Sequence, residues 1–330
     1  MKKYIFCIIL CSLINVSIHW QSEVKNLAKD FIQEYHSFGI QPLSLSFIDN
    51  LNNIKSLDSL KKQEVFFLKY ENLLSEIDVP TVSSHDFADY EILNYEIKRN
   101  LERIKLSKKI KKQIDTKEFS YEKIFDIPDG KEWYKYYIKA WTNSEVTPED
   151  LIVLGEKEVK EAENEIEKIR IESGKTKTEF KEFLNSNSFF ITNKDSLYKI
   201  FEAKKKNIWS NLYRQFNNPD KISDLKIEKG TNERMAVAPG YYLPDTHTFY
   251  YNYFDRPYNV RQVDWLLIHE GIPGHHFQTS WMDNLKLTDL RNEFKYFGFL
   301  EGWAAYAEEI GKEVGAYKTI YDYLGKWEWD

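Results

Sequence analysis

The chain has 330 residues, with 46 Lys and Arg against 52 Asp and Glu, a net charge of −6. Hydrophobic residues make up 42% and charged residues 30%, a globular balance that excludes wholesale disorder. The lack of a basic bias argues against nucleic acid as a partner, and only 13 Gly and 9 Pro argue against a loop-rich all-β chain.

Lys2 and Lys3 precede an apolar run from Tyr4 to Ile18, broken by Ser12, Asn15 and Ser17. A basic start followed by a short apolar core predicts a signal peptide over residues 1–21. The run is too short and too interrupted for a stable membrane span. The protein is therefore expected to be exported, periplasmic or secreted. Both cysteines, Cys7 and Cys11, lie inside this run. Cys11 follows Leu10 rather than a small residue, which weighs against a lipoprotein anchor. Once the signal is removed no cysteine remains, so disulfides and thiolate metal sites drop out. No later segment reaches the length of a membrane helix.

Residues 22–225 are predicted to form a helical domain. Val24, Leu27, Phe31 and Tyr35 recur at spacings of three and four, and Leu60, Val65, Phe66, Leu68 and Leu73 do so more loosely. From Asp86 to Ile114, the residues Tyr90, Leu93, Ile97, Leu101 and Ile104 mark one face. Thr147-Pro148-Glu149-Asp150 signs the start of another helix, with a capping hydroxyl, a proline suited to the first turn, and acids at the positive end. That helix carries Val159, Ala162, Ile166 and Ile169.

After Pro219 the texture changes. Pro239-Gly240, Pro244-Asp245 and Arg256-Pro257 are turn signals, and Thr246 to Phe254 is dense in β-formers, predicting one or two strands. A second region over 226–330 then returns to helix. The expected fold class is mainly α, with a small β element beside the second helical region.

Three histidines crowd the segment Trp265-Leu-Leu-Ile-His269-Glu270-Gly-Ile-Pro273-Gly274-His275-His276-Phe-Gln278. An apolar lead into His-Glu is similar to the opening of a zinc-peptidase helix, where two histidines at i and i+4 share a face and the Glu acts as base. Here i+4 is Pro273, and the next histidines stand at i+6 and i+7. In a regular helix i+7 lies about 10.5 Å further along the axis, too far for two nitrogens each about 2.1 Å from one zinc. Pro273 cannot bond to the carbonyl of His269 four residues back, and Gly271 and Gly274 free the backbone. The helix is therefore predicted to deform between the histidines. A third ligand is available in Phe297-Gly-Phe-Leu-Glu301-Gly-Trp-Ala. Its apolar company predicts a poorly solvated carboxylate that needs a partner, either a metal or a cation such as Arg291. Glu308, seven residues on, falls on the same face.

His269-Glu-x-x-Pro-Gly-His275-x-x-Gln278, together with Glu301-Gly-Trp-Ala, resembles the domain of unknown function 885 family, bacterial zinc-metallopeptidase-like proteins of gluzincin type. Thr147 to Gly155 and Ala238 to Asn252 resemble further segments of it. The resemblance implies a zincin-like helical catalytic region over 226–330, with His269, His275 and Glu301 as ligands of Zn2+ and Glu270 as general base. It implies hydrolysis of peptide bonds, in short peptides, with zinc activating a water. His276, Gln278, Tyr250, Tyr251, Tyr306 and Glu308 are candidates to contact substrate or support the ligands. The Thr248–Tyr253 strand is expected to line the cleft and bind an extended peptide by strand addition. The family continues beyond the Glu-Gly-Trp helix, so the chain is expected to be truncated at its C-terminus. The alternative is an exported metal- or peptide-binding protein without turnover.

Overall fold

A computed structural model describes residues 23–114, 122–254 and 256–329; the signal-like segment lies outside them. The fold is mainly α, as the patterning predicts, with a few short strands. Among the described residues, no helix is long and apolar enough to cross a membrane. The chain separates into two compact units, one comprising Met1–Pro148 with Leu287–Tyr296, the other Glu149–Lys286 with Phe297–Asp330. This division falls at the first turn of a helix rather than near residue 225. The reason is that Leu197, Phe201 and Ile208, expected to belong with the first region, share one core with Phe249 and Leu266.

The first unit is helical: α1 (23–36), α2 (Phe47–Asn52), α3 (Leu57–Ser75), α4 (Ser84–Ile114), α5 (Gly130–Thr142) and the late segment α11 (Asp289–Glu293). Ser46 and Ser56 cap α2 and α3 through their side-chain oxygens. Val24, Phe31 and Tyr35 of α1 are buried, as are Leu93, Ile97 and Ile104 of α4. On α3 the expected stripe is corrected: Val65, Leu68 and Leu73 face solvent. The buried stripe is Leu60, Gln63, Phe67, Tyr70 and Leu74, with Phe66 beside it. This is a strict three-four repeat whose phase the polar Gln63 hides. Phe31 meets the rings of Phe66 and Tyr70 at 5.1 Å each. Leu290 of α11 is buried in the same core. Arg291, offered by sequence as a partner for Glu301, instead places its Nε 2.6 Å from Asp89 Oδ1.

The second unit holds α6 (Pro148–Glu172), α7 (Lys177–Leu184), β1 (Phe190–Ile191), α8 (Lys194–Asn211), β2 (Lys226–Lys229), β3 (Gly240–Leu243), β4 (Thr248–Tyr251), β5 (Tyr258–Asn259), α9 (Gln262–Leu266), α10 (His275–Asp283), α12 (Phe297–Glu309) and α13 (Ile320–Trp327). Helix α6 starts at Pro148 as predicted, but Val159 is exposed while Ala162 and Ile169 are buried. Strands β2, β4 and β3 form one sheet in that order. β2 runs parallel to β4, and β3 antiparallel to it, with Tyr242 opposite Phe249. β1 and β5 pair separately. Phe201 of α8 covers the sheet, stacking on Tyr251 and meeting Phe249 edge-on. On this core rest Leu266, Leu267, Ile268 and Ile272, which carry the histidine motif.

Candidate metal centre

Helix α9 does not continue regularly into the motif. Leu267–Gly271 is a π-helical turn, in which the Ile272 N–H donates to the Leu267 carbonyl five residues back at 3.0 Å. The chain then passes through Ile272, Pro273 and Gly274, and the Gly274 N–H donates to the Ile268 carbonyl at 2.9 Å. Helix α10 begins at His275. The predicted deformation is present and takes this form. The widened turn inserts an extra residue into the helix beside His269, and Pro273 ends the ladder. A Cβ on Gly274 would lie 1.9 Å from the His269 carbonyl oxygen, so glycine alone fits the closure. The Trp303 indole of α12 donates to the Pro273 carbonyl at 2.8 Å, tying the turn to the helix that carries Glu301.

This path brings His269, His275 and Glu301 together. One ligand atom from each lies within 4.8 Å of the other two. Glu301 Oε2 is 3.6 Å from His269 Nε2 and 3.5 Å from His275 Nε2. Those lengths exceed a good hydrogen bond. They match the edge of a tetrahedron, about 3.4 Å, formed by ligands about 2.1 Å from a central zinc. The two imidazole rings stand nearly perpendicular, with centroids 4.9 Å apart. The donor set of two imidazoles and one carboxylate suits zinc and leaves a fourth position for water.

Glu308 completes the arrangement from behind. Its Oε1 is 2.7 Å from His269 Nδ1, and the side chain is buried. An ionised carboxylate only accepts, so Nδ1 carries a proton toward Glu308, and Nε2 is the nitrogen that faces Glu301 and would have to shed its proton to bind a metal. Burial pulls the His269 imidazole down, but the Glu301 and Glu308 carboxylates and the charge of Glu270 prevail, and it is pushed up to about 10. The same imidazoles hold the Glu301 carboxyl well below the usual carboxylate range. Burial pushes the Glu270 carboxyl up, against the opposing charges of His275 and His269. Glu308→Ala is expected to weaken zinc affinity about 10- to 100-fold by freeing the His269 ring. Competition with a chromophoric chelator measures this; equal affinities in the variant and the parent would refute the anchoring role.

The expected poor solvation of Glu301 is corrected: its side chain is 63% exposed. The neighbouring Gly302 faces open space, and α12 buries Ala304, Ala307 and Glu308 instead. His276 is fully buried and turns away, with Nδ1 3.1 Å from the Tyr242 hydroxyl and Nε2 2.9 Å from the Ser223 carbonyl. Burial pushes it down to about 4, so it is a neutral packing residue. His275, not His276, therefore faces Glu301. Gln278 is buried and reaches only the Phe299 carbonyl, at 3.4 Å. Tyr251 is buried against Phe201, Tyr250 stacks on Tyr241, and Tyr306 is exposed beside Trp303. Strand β4 is central in its sheet, so it has no free edge for strand addition; β3 lies at the edge, and the Tyr242 backbone acts to lower the Glu270 carboxyl against its burial. Sequence reasoning missed the Trp303–Pro273 bond. Its signal is a tryptophan two residues after the ligand, on a helix that must pack against a broken one.

The description "Bacterial protein of unknown function (DUF885)" matches residues 103–330, and the chain belongs to that family. A solved structure, "the putative lipoprotein from Colwellia psychrerythraea", is similar over 85% of this chain and 53% of its own, at 19% identity and a TM-score of 0.55. The likeness is one of fold, and this chain spans about half the length of that protein. A second, "a putative lipoprotein of unknown function from Shewanella oneidensis", is 16% identical over 94% of this chain and 64% of its own, with a TM-score of 0.40. No curated protein matches.

Proposed function

We propose that this protein is an exported zinc-dependent hydrolase of peptide bonds in short peptides. The observation that carries the reading is the convergence of His269, His275 and Glu301, with Glu301 at tetrahedral-edge distance from both histidines and Glu308 anchoring the ring of one of them. The three residues would hold the zinc, which when bound supplies a water of lowered pKa and polarises a carbonyl. Glu270, next to His269 on the widened turn and raised by burial, takes the proton of the attacking water and returns it to the leaving amine. The edge of β3, beside Glu270, offers backbone groups to an extended peptide. Export rests on Lys2, Lys3 and the apolar run that follows.

Metal analysis of purified residues 22–330 beside the Glu301→Ala variant tests the site. About one zinc per chain, lost in the variant, is the expected result. Well-folded protein without zinc would remove the basis of the reading. A binding protein without turnover would keep the zinc and hydrolyse no member of a peptide library.

A further inference from the structure

The first unit encloses a second polar site, unrelated to the histidines. Residues Arg99, Asn100, Arg103 and Ser107 lie along one face of α4, and Trp133 and Tyr136 of α5 close the space opposite. Gln63 of α3, Asn50 of α2, residues 40–43 and Asn53–Lys55 complete the lining. The cavity measures about 50 Å³. A water needs about 10–15 Å³ on this measure, so there is room for a group of about four non-hydrogen atoms.

The hydrogen-bond accounting of this lining is one-sided. Two of its amide oxygens are already used: Arg103 Nε donates to Asn100 Oδ1 at 3.0 Å, and a second Arg103 nitrogen donates to Gln63 Oε1 at 2.8 Å. Its donors are not. Gln63 Nε2, Arg99 Nε, Ser107 Oγ and Trp133 Nε1 are buried with no partner among the described residues. Gln63 and Ser107 are fully buried, and Trp133 is 2% exposed. Tyr136 and Tyr137 border the same space, and burial pushes both phenols up, so they stay protonated. The charge is also one-sided. Arg99 is paired with Glu96 at 2.5 Å, whereas the hydrogen bonds of Arg103 go to two neutral amides.

Buried donors need acceptors. Water could bond the open hydroxyls of Ser107, Tyr136 and Tyr137, but it brings no negative charge to Arg103, whose bonds go to neutral amides. An ionised carboxylate or phosphate only accepts and carries the missing negative charge. We propose that this cavity is a binding site for a small oxyanion group, the carboxylate or phosphate of a ligand, held by Arg103, Arg99, Ser107, Gln63 and Trp133. The inference is independent of the zinc reading, since it uses none of the residues of that site.

Calorimetric titration of the full chain with sodium phosphate, and separately with sodium acetate, at constant ionic strength tests the proposal. One saturable site is expected for at least one anion, weakened about tenfold or more by Arg103→Gln and by Trp133→Phe. Trp133→Phe keeps a ring in place and removes only the donor, so it carries the test if Arg103→Gln fails to fold. Tighter binding of phosphate would assign a phosphorylated ligand, and tighter binding of acetate a carboxylate. Folded protein that binds neither anion saturably, or binding that both variants leave unchanged, would overturn the proposal.

Discussion

Glu270→Gln is expected to lower peptide hydrolysis by about 10²- to 10⁴-fold while leaving zinc bound. Glutamine has nearly the same shape and cannot accept a proton to become a neutral acid. Glu270 is not among the three converging ligand groups, so the metal count should match that of the parent chain. The position favours proton traffic. Burial pushes this carboxyl up from its ordinary value, toward the range in which a base can both take and return a proton. The two measurements must be made on the same sample. Unchanged hydrolysis with zinc in place would sink the proposed mechanism, whereas loss of both would point to damage to the turn.

Gly274→Ala should be a strongly damaging substitution in the second unit. The added carbon would sit 1.9 Å from the His269 oxygen and 2.2 Å from the Ile268 oxygen, both backbone atoms. Relief requires the turn to move, and His275 follows directly. A cost of about 3 kcal/mol or more is expected, seen as a lower urea midpoint at unchanged slope. Gly302→Ala is the control. Nothing lies within 4 Å of its Cβ position, and it stands inside α12, so about 0.5–1 kcal/mol of stabilisation is expected. If Gly274→Ala unfolds at the parental midpoint, the close packing of the turn is refuted.

The helical character of the chain was legible in its periodicity, because the stripes of α1 and α4 are apolar at every turn. The stripe of α3 was not, because Gln63 occupies a core position and interrupts the hydrophobic signal. The convergence of His269, His275 and Glu301 was legible from residue types, and Pro273 with its flanking glycines foretold a break. The form of that break was not. A π turn differs from a regular one by a single backbone hydrogen bond, which no side-chain pattern records. The role of Glu308 was open because a seven-residue spacing fits both a buried anchor and a surface acid, and packing decides. The exposure of Glu301 ran against its apolar neighbours in sequence, since those neighbours point to other faces of α12. The donor-lined cavity left no sequence signal, as its residues come from four helices and two loops.

The interleaving of the two units bears on biosynthesis. Leu290 sits in the same core as Phe31 and Phe67, and Thr288 and Arg291 both donate to Asp89. Yet the 287–296 segment follows 138 residues of the other unit, Glu149–Lys286. A ribosome that has just finished residue 148 has therefore released a unit that still lacks part of its core and the counter-ion of a buried aspartate. That nascent unit cannot reach its final packing until nearly nine-tenths of the chain has been made. A core completed only by a late segment delays closure of this unit during synthesis without any separate device.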